Sequence, residues 1–139
     1  MKLQDQVCSS DQAKRLKELG IAQDSLFVIT YGTGRTVTRD EAEKNDLAGK
    51  AAFTVAELLM ILPEVIEVPN TPHSAVFILE KGYDHYSESE CYTAGYKLNG
   101  DWFIGSGFPN ASEALCEVLL TLLREKFLTA EEVNKRLQA

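Results

Sequence analysis

The sequence predicts an α+β fold, a small antiparallel sheet of three to five strands packed with about four helices. Three observations carry this. First, a Ser, Thr or Asn is followed three residues later by Glu or Gln, at the edge of an apolar run, in the pairs Ser9/Gln12, Thr54/Glu57, Asn110/Glu113 and Thr129/Glu132. That is the capping-box spacing, in which the first side chain accepts a bond from a free N–H at a helix start and the second reaches back. Second, Asn99-Gly100 stands between CYTAGYKL and DWFIGS. Asn-Gly suits a two-residue type I′ turn because both positions need positive φ. Third, hairpin signals dominate, and the strand–helix–strand rhythm of a parallel sheet is missing.

The elements follow in order. A first helix starts at Ser9 and runs to about Leu19, with Ala13, Leu16 and Leu19 inward. Gly20-Ile21 is its stop: the glycine takes the left-handed conformation and the apolar residue packs back. LFVITY (26–31) is rich in β-branched and aromatic residues and reads as a strand. Residues 32–50 hold four acids and four bases, with a short strand around Val37 and otherwise a mobile polar loop. AFTVAELLMILP is a second helix, capped by Thr54, stapled by Phe53 and Leu58, and ended by Pro63. VIEV is a short strand and SAVFILE (74–80) a longer one. The Asn99-Gly100 hairpin pairs Leu98 with Asp101, Tyr96 with Phe103 and Ala94 with Gly105. It puts Tyr92, Tyr96, Leu98 and Phe103 on one face, and Gly95, Lys97, Trp102 and Ile104 on the other. A third helix runs from Asn110 to about Lys126, and a fourth follows Thr129 with Leu128 and Val133 as its staple. One globular domain over residues 1–139 is expected.

Composition narrows the classes. Of 139 residues, 45% are hydrophobic and 25% charged, ordinary for a globular chain that needs neither metal nor disulfide to fold. Three cysteines, Cys8, Cys91 and Cys116, without a C-x-x-C pair fit a reduced, cytoplasmic setting. No apolar run approaches a membrane span. The net charge is −7, and residues 51–101 hold eight acids against two bases. This argues against nucleic acid, which needs clustered Lys and Arg; the only basic cluster is Lys14, Arg15 and Lys17.

Two helices are too apolar for a surface position. The third shows polar residues only along a narrow line, Glu113, Glu117, Thr121, Arg124 and Glu125; VAELLMILP has one charge, Glu57. Two arrangements account for this. Either the third helix lies between the sheet and another helix, or part of the apolar surface is a subunit contact in a homodimer. In the second case Leu59, Met60, Leu119, Leu120 and Leu123 are the interface candidates.

Chemistry is less legible. YGTGRT lacks the third glycine of a dinucleotide fingerprint, with Val37 in its place, and launches no clear helix. Ser106 sits between Gly105 and Gly107, whereas a nucleophile elbow has its glycines two positions away. Cys8 precedes a helix start, where the dipole favours a thiolate, but neither His73 nor His85 can be placed beside it. Asp84, His85, Glu88 and Glu90, followed by Cys91, are the candidate metal ligands; a solvated acidic loop between strands is the plainer reading. A helix-turn-helix fails because LFVITY follows the turn where a recognition helix belongs. No catalytic residue and no cofactor is expected.

The segments QVCSSDQAKRLKELGIAQDSLF and AFTVAELLMILP resemble a set of small uncharacterised proteins of gut bacteria and their prophages. Those share the patterns V-C-S, A-K-x-L-K-x-L-G, S-L-F and A-F-T-V-A-E-L. This chain departs at LFVITY, where a Trp is frequent, and at Leu59, where a Gly is frequent. The resemblance implies a setting among accessory or mobile-element genes and carries no site. The sequence therefore points to a non-enzymatic interaction or accessory module. The alternatives are a small-ligand binder or enzyme using the aromatic hairpin face, with His85 at the rim of a cleft lined by Tyr92, Tyr96 or Trp102, and a DNA-associated regulator using Lys14, Arg15 and Lys17.

Overall fold

A computed structural model describes residues 2–138. The fold is α+β, with five helices and two antiparallel sheets of three and four strands. After a short 3₁₀ turn come α1 (Ser10–Glu18), β1 (Phe27–Thr30), β2 (Thr36–Thr38), α2 (Arg39–Lys44), β3 (Gly49–Ala52) and α3 (Val55–Ile61). Then follow β4 (Val65–Glu67), β5 (Ser74–Asp84), β6 (Ser89–Leu98), β7 (Asp101–Phe108), α4 (Ala111–Arg124) and α5 (Ala130–Leu137). The small sheet has the order β2-β1-β3 and the larger one β4-β5-β6-β7.

The helix starts fall at the capping pairs. Ser9/Gln12 and Thr54/Glu57 form complete boxes, while Asn110 and Thr129 accept from the N–H of Glu113 and Glu132. A fifth pair with the same spacing, Thr38/Glu41, opens α2. β2 is the short strand expected around Val37, while α2 and β3 occupy the remainder of the segment expected to be a mobile polar loop. The reason is burial at a few points: Val37 and Ala42 close over Val28 in a small cluster of their own. Lys50, Ala51 and Ala52 pair with β1. β1 is thus covered on both sides, which explains why its apolar run is continuous rather than alternating.

α4 is the centre of the molecule. It packs on β6 and β7 with one side and meets α1 and α3 with the other. Leu115, Leu119 and Leu122 are fully buried, each contributing roughly 2 kcal/mol of apolar transfer. Leu119 and Leu120, expected among the interface candidates, are 0% and 1% exposed within the chain itself, so neither offers a surface; Leu123 is partly buried against the same core. The narrow polar line of this helix meets α1. Gln12 donates to the Glu113 carbonyl at 2.9 Å and to the Glu117 carboxylate at 3.3 Å.

The hairpin register differs from the expected one. Leu98 does oppose Asp101, across Asn99 and Gly100 at φ 52° and 87°. A β-bulge then makes Phe103 the extra residue, so Tyr96 opposes Ile104 and Ala94 opposes Ser106. Ile104 therefore turns to the core side, with Tyr92, Tyr96 and Phe108. Gly95 is required here: a Cβ would lie 1.9 Å from the Ile104 carbonyl oxygen.

Candidate interaction surface

One face of the four-stranded sheet packs against α4. The residues that turn toward it, Ile66, Ala75, Ala94 and Tyr96, are buried. The alternate residues form the other face. In register they make a row across all four strands: Val65 opposite Val76, Val76 opposite Lys97, and Lys97 opposite Trp102. Val65 is 53% exposed, Val76 50% and Trp102 38%. A second row runs from Ile78 to Gly95 to Gly105. The Trp102 indole lies over Gly105, where a Cβ would meet the ring at 3.1 Å. Lys97 sits 4.7 Å from the centre of that ring and 2.6 Å from the Glu80 carboxylate. The ammonium is thereby neutralised within the row, and its stem covers apolar surface. β7 is bonded to β6 alone, so its outer edge carries unpaired backbone groups.

The expected chemical candidates do not assemble. Asp84, His85, Glu88 and Glu90 lie in or beside the turn between β5 and β6. Asp84 accepts from the Tyr86 N–H and the Ser87 hydroxyl, both at 2.9 Å, which holds its carboxyl below the usual range. Glu90 pairs with Lys81 at 3.3 Å, and the His85 ring packs edge-on against Tyr83. Glu88 takes φ 53° at the turn. Among the described residues no group of three or more such side chains converges on a metal position.

The aromatic cleft is also not formed. Tyr96 is buried, its hydroxyl donating to the Pro63 carbonyl at 2.6 Å, and Tyr92 shares its face. Trp102 is on the opposite side of the sheet, and His85 is at the far tip of the hairpin. Tyr92 instead lines a cleft of ≈ 710 Å³ between the N-terminal segment and the starts of α3 and α4, with Asp5 and Glu90 at its walls. Among the described residues every buried side-chain polar atom has a hydrogen-bond partner.

The basic cluster of α1 divides. Arg15 is held by Asp11 at 2.8 Å and approaches Glu117 at 3.7 Å. Lys14 and Lys17 face a shallow cleft that also receives Tyr31, Glu18 and Lys50. Lys17 donates to the Tyr31 hydroxyl, and Lys50 donates to the Ser10 carbonyl and hydroxyl. Lys50 and Tyr31 join this cleft only through tertiary packing, since they come from β3 and from the turn after β1.

Of the interface candidates, Leu59 and Met60 on α3 are exposed, at 44% and 62%. The sheet face was missed in the sequence because its members alternate with core residues on four separate strands. The one signal was Trp102 and Lys97 falling on the hairpin side opposite Tyr96. No family model, curated protein or solved structure matches the chain. No helix among the described residues is long and apolar enough to cross a membrane.

Proposed function

We propose that this protein is a non-enzymatic interaction module whose working surface is the face of the four-stranded sheet turned away from α4, and that it pairs there with a second copy of itself. The observation that carries the reading is the row Val65, Val76, Lys97 and Trp102, apolar except for a cation already balanced by Glu80. A sheet face meant only for water is served by polar residues at alternate positions. Here two valines and the only tryptophan occupy them. The patch is close to neutral on a chain of net charge −7, so two copies meet there without the repulsion of their remaining surfaces. The resemblance of the first helix and of α3 to small gut-bacterial and prophage proteins supports an accessory role in a bacterial cytoplasm.

Light scattering during size-exclusion chromatography at micromolar concentration tests this. The expected mass is twice 15.4 kDa; a mass of 15.4 kDa that persists at higher concentration sinks the pairing. A second reading, a DNA-associated regulator, is favoured by one observation: Lys14, Lys17 and Lys50 form no ion pair with a carboxylate among the described residues. Duplex-DNA titration at two salt concentrations separates it, because phosphate contacts by these lysines weaken steeply with salt.

A further inference from the structure

Two of the three cysteines, Cys8 and Cys116, are buried in the same core cluster, although 107 residues separate them in sequence. Two clamps place them there. On one side of Cys8, the Val7 carbonyl accepts from the Ser112 hydroxyl at 2.9 Å. On the other, Gln12 bonds to Glu113 and Glu117 of the same helix. Cys116 lies one helical turn beyond Ser112 and beside Glu117, so it stands opposite Cys8. The backbone N–H of Cys8 is fixed by the Phe53 carbonyl at 3.0 Å, and Val7 bridges to Thr54. Both cysteines belong to the main core and have almost no exposure, 1% for Cys8 and 0% for Cys116.

We infer that Cys8 and Cys116 are a thiol pair that closes to a disulfide when the surroundings become oxidising, stapling the N-terminal segment onto α4. The co-reactant is a small disulfide such as oxidised glutathione. One thiolate attacks a glutathione sulfur and displaces one glutathione thiolate. The second thiol gives up its proton and attacks the mixed disulfide, displacing the other glutathione. Two protein thiols and one glutathione disulfide thus become one protein disulfide and two glutathione thiols, with two electrons passing to glutathione.

Cys8 is suited to attack first. A hydrogen bond from Cys116 lowers its pKa, whereas burial pushes Cys116 well up. Access comes from the N-terminal side. The 3₁₀ turn Leu3–Asp5 has no buried residue, whereas Val7 and Cys8 belong to the core, so Cys8 is reached when the turn frays and local opening extends through Val7. Cys91 takes no part: it is on β6 opposite Gly82, outside the buried pair.

The test is alkylation in denaturant followed by intact mass and peptide mapping, after the folded chain has stood in oxidised glutathione, with and without low urea below the unfolding transition. The expected product carries one alkyl group instead of three, maps a bridge between Cys8 and Cys116, and melts about 10 °C higher, a gain that reductant reverses. Cys91→Ser keeps the bridge. Cys116→Ser, if it folds, accumulates glutathione on Cys8. Three free thiols under both conditions, or a bridge that includes Cys91, overturns the inference.

Discussion

The two faces of the four-stranded sheet are made by the same strands and differ in every other respect. On the inner face, Ala75, Ala94 and Tyr96 are buried in the same core as Leu115, Leu119 and Leu122, with the Tyr96 hydroxyl satisfied by Pro63. Away from α4, Val65 and Val76 stay about half exposed and Trp102 somewhat less. The difference teaches that apolar content does not by itself mark a core. On the inner face the apolar residues have partners in the same chain. On the outer face their neighbours are one another, Gly105 and Lys97, they stay well exposed, and this is the face proposed above for a second copy.

The comparison can be broken or sharpened by substitution. The largest effect belongs to the buried side: Leu119→Ala leaves a cavity in the main core and costs about 3–4 kcal/mol in urea unfolding. Gly95→Ala is the one outer-face change of similar size, about 3 kcal/mol, because the added Cβ meets the Ile104 carbonyl at 1.9 Å and the bulge must shift. A loss below about 1 kcal/mol there would show that the register is looser than described.

Tyr96→Phe costs about 1 kcal/mol near neutral pH through the lost bond to Pro63. It also changes the alkaline limb. Burial raises the Tyr96 phenol above its ordinary value. A group raised in the fold keeps its stabilising contribution below its unfolded value, near pH 10 for tyrosine, and loses it as pH climbs beyond. Stability measured from about pH 9 upward should therefore fall less steeply in Tyr96→Phe than in the native chain. The smallest effect on folding comes from Val76→Glu, within about 0.5 kcal/mol in dilute solution. Its consequence is in assembly, where the charge placed in the apolar row should return the mass to 15.4 kDa. An unchanged double mass would move the contact elsewhere, with exposed Met60 on α3 the next position to substitute.

Helix ends show how legibility varies. α1, α2 and α4 stop in the same way, with a left-handed residue followed by one whose N–H reaches back to the last turn: Ile21 to Leu16, Leu47 to Ala42 and Phe127 to Leu122. Only the first has a glycine there, Gly20; the others place Asp46 and Lys126 at φ 53° and 62°. The stop of α1 could be read from sequence for that reason, while that of α2 was hidden in a polar stretch. The whole of α2 is hidden with it, although Thr38 and Glu41 carry the same cap spacing as the other four pairs. A six-residue helix with one buried residue, Ala42, has too little apolar period to stand out.

What the sequence alone determined was local: where α1, α3, α4 and α5 begin, and where the β6–β7 hairpin turns. These depend on bonds between residues three or four positions apart, and a side chain needs no distant partner to make them. Tertiary structure decided the rest. It placed Leu119 and Leu120 inside the chain and moved Ile104 to the core through the bulge. It also brought Cys8 to Cys116. Those outcomes rest on contacts such as Gln12 to Glu113, 101 residues apart, and no local pattern encodes which of several apolar surfaces such contacts will cover.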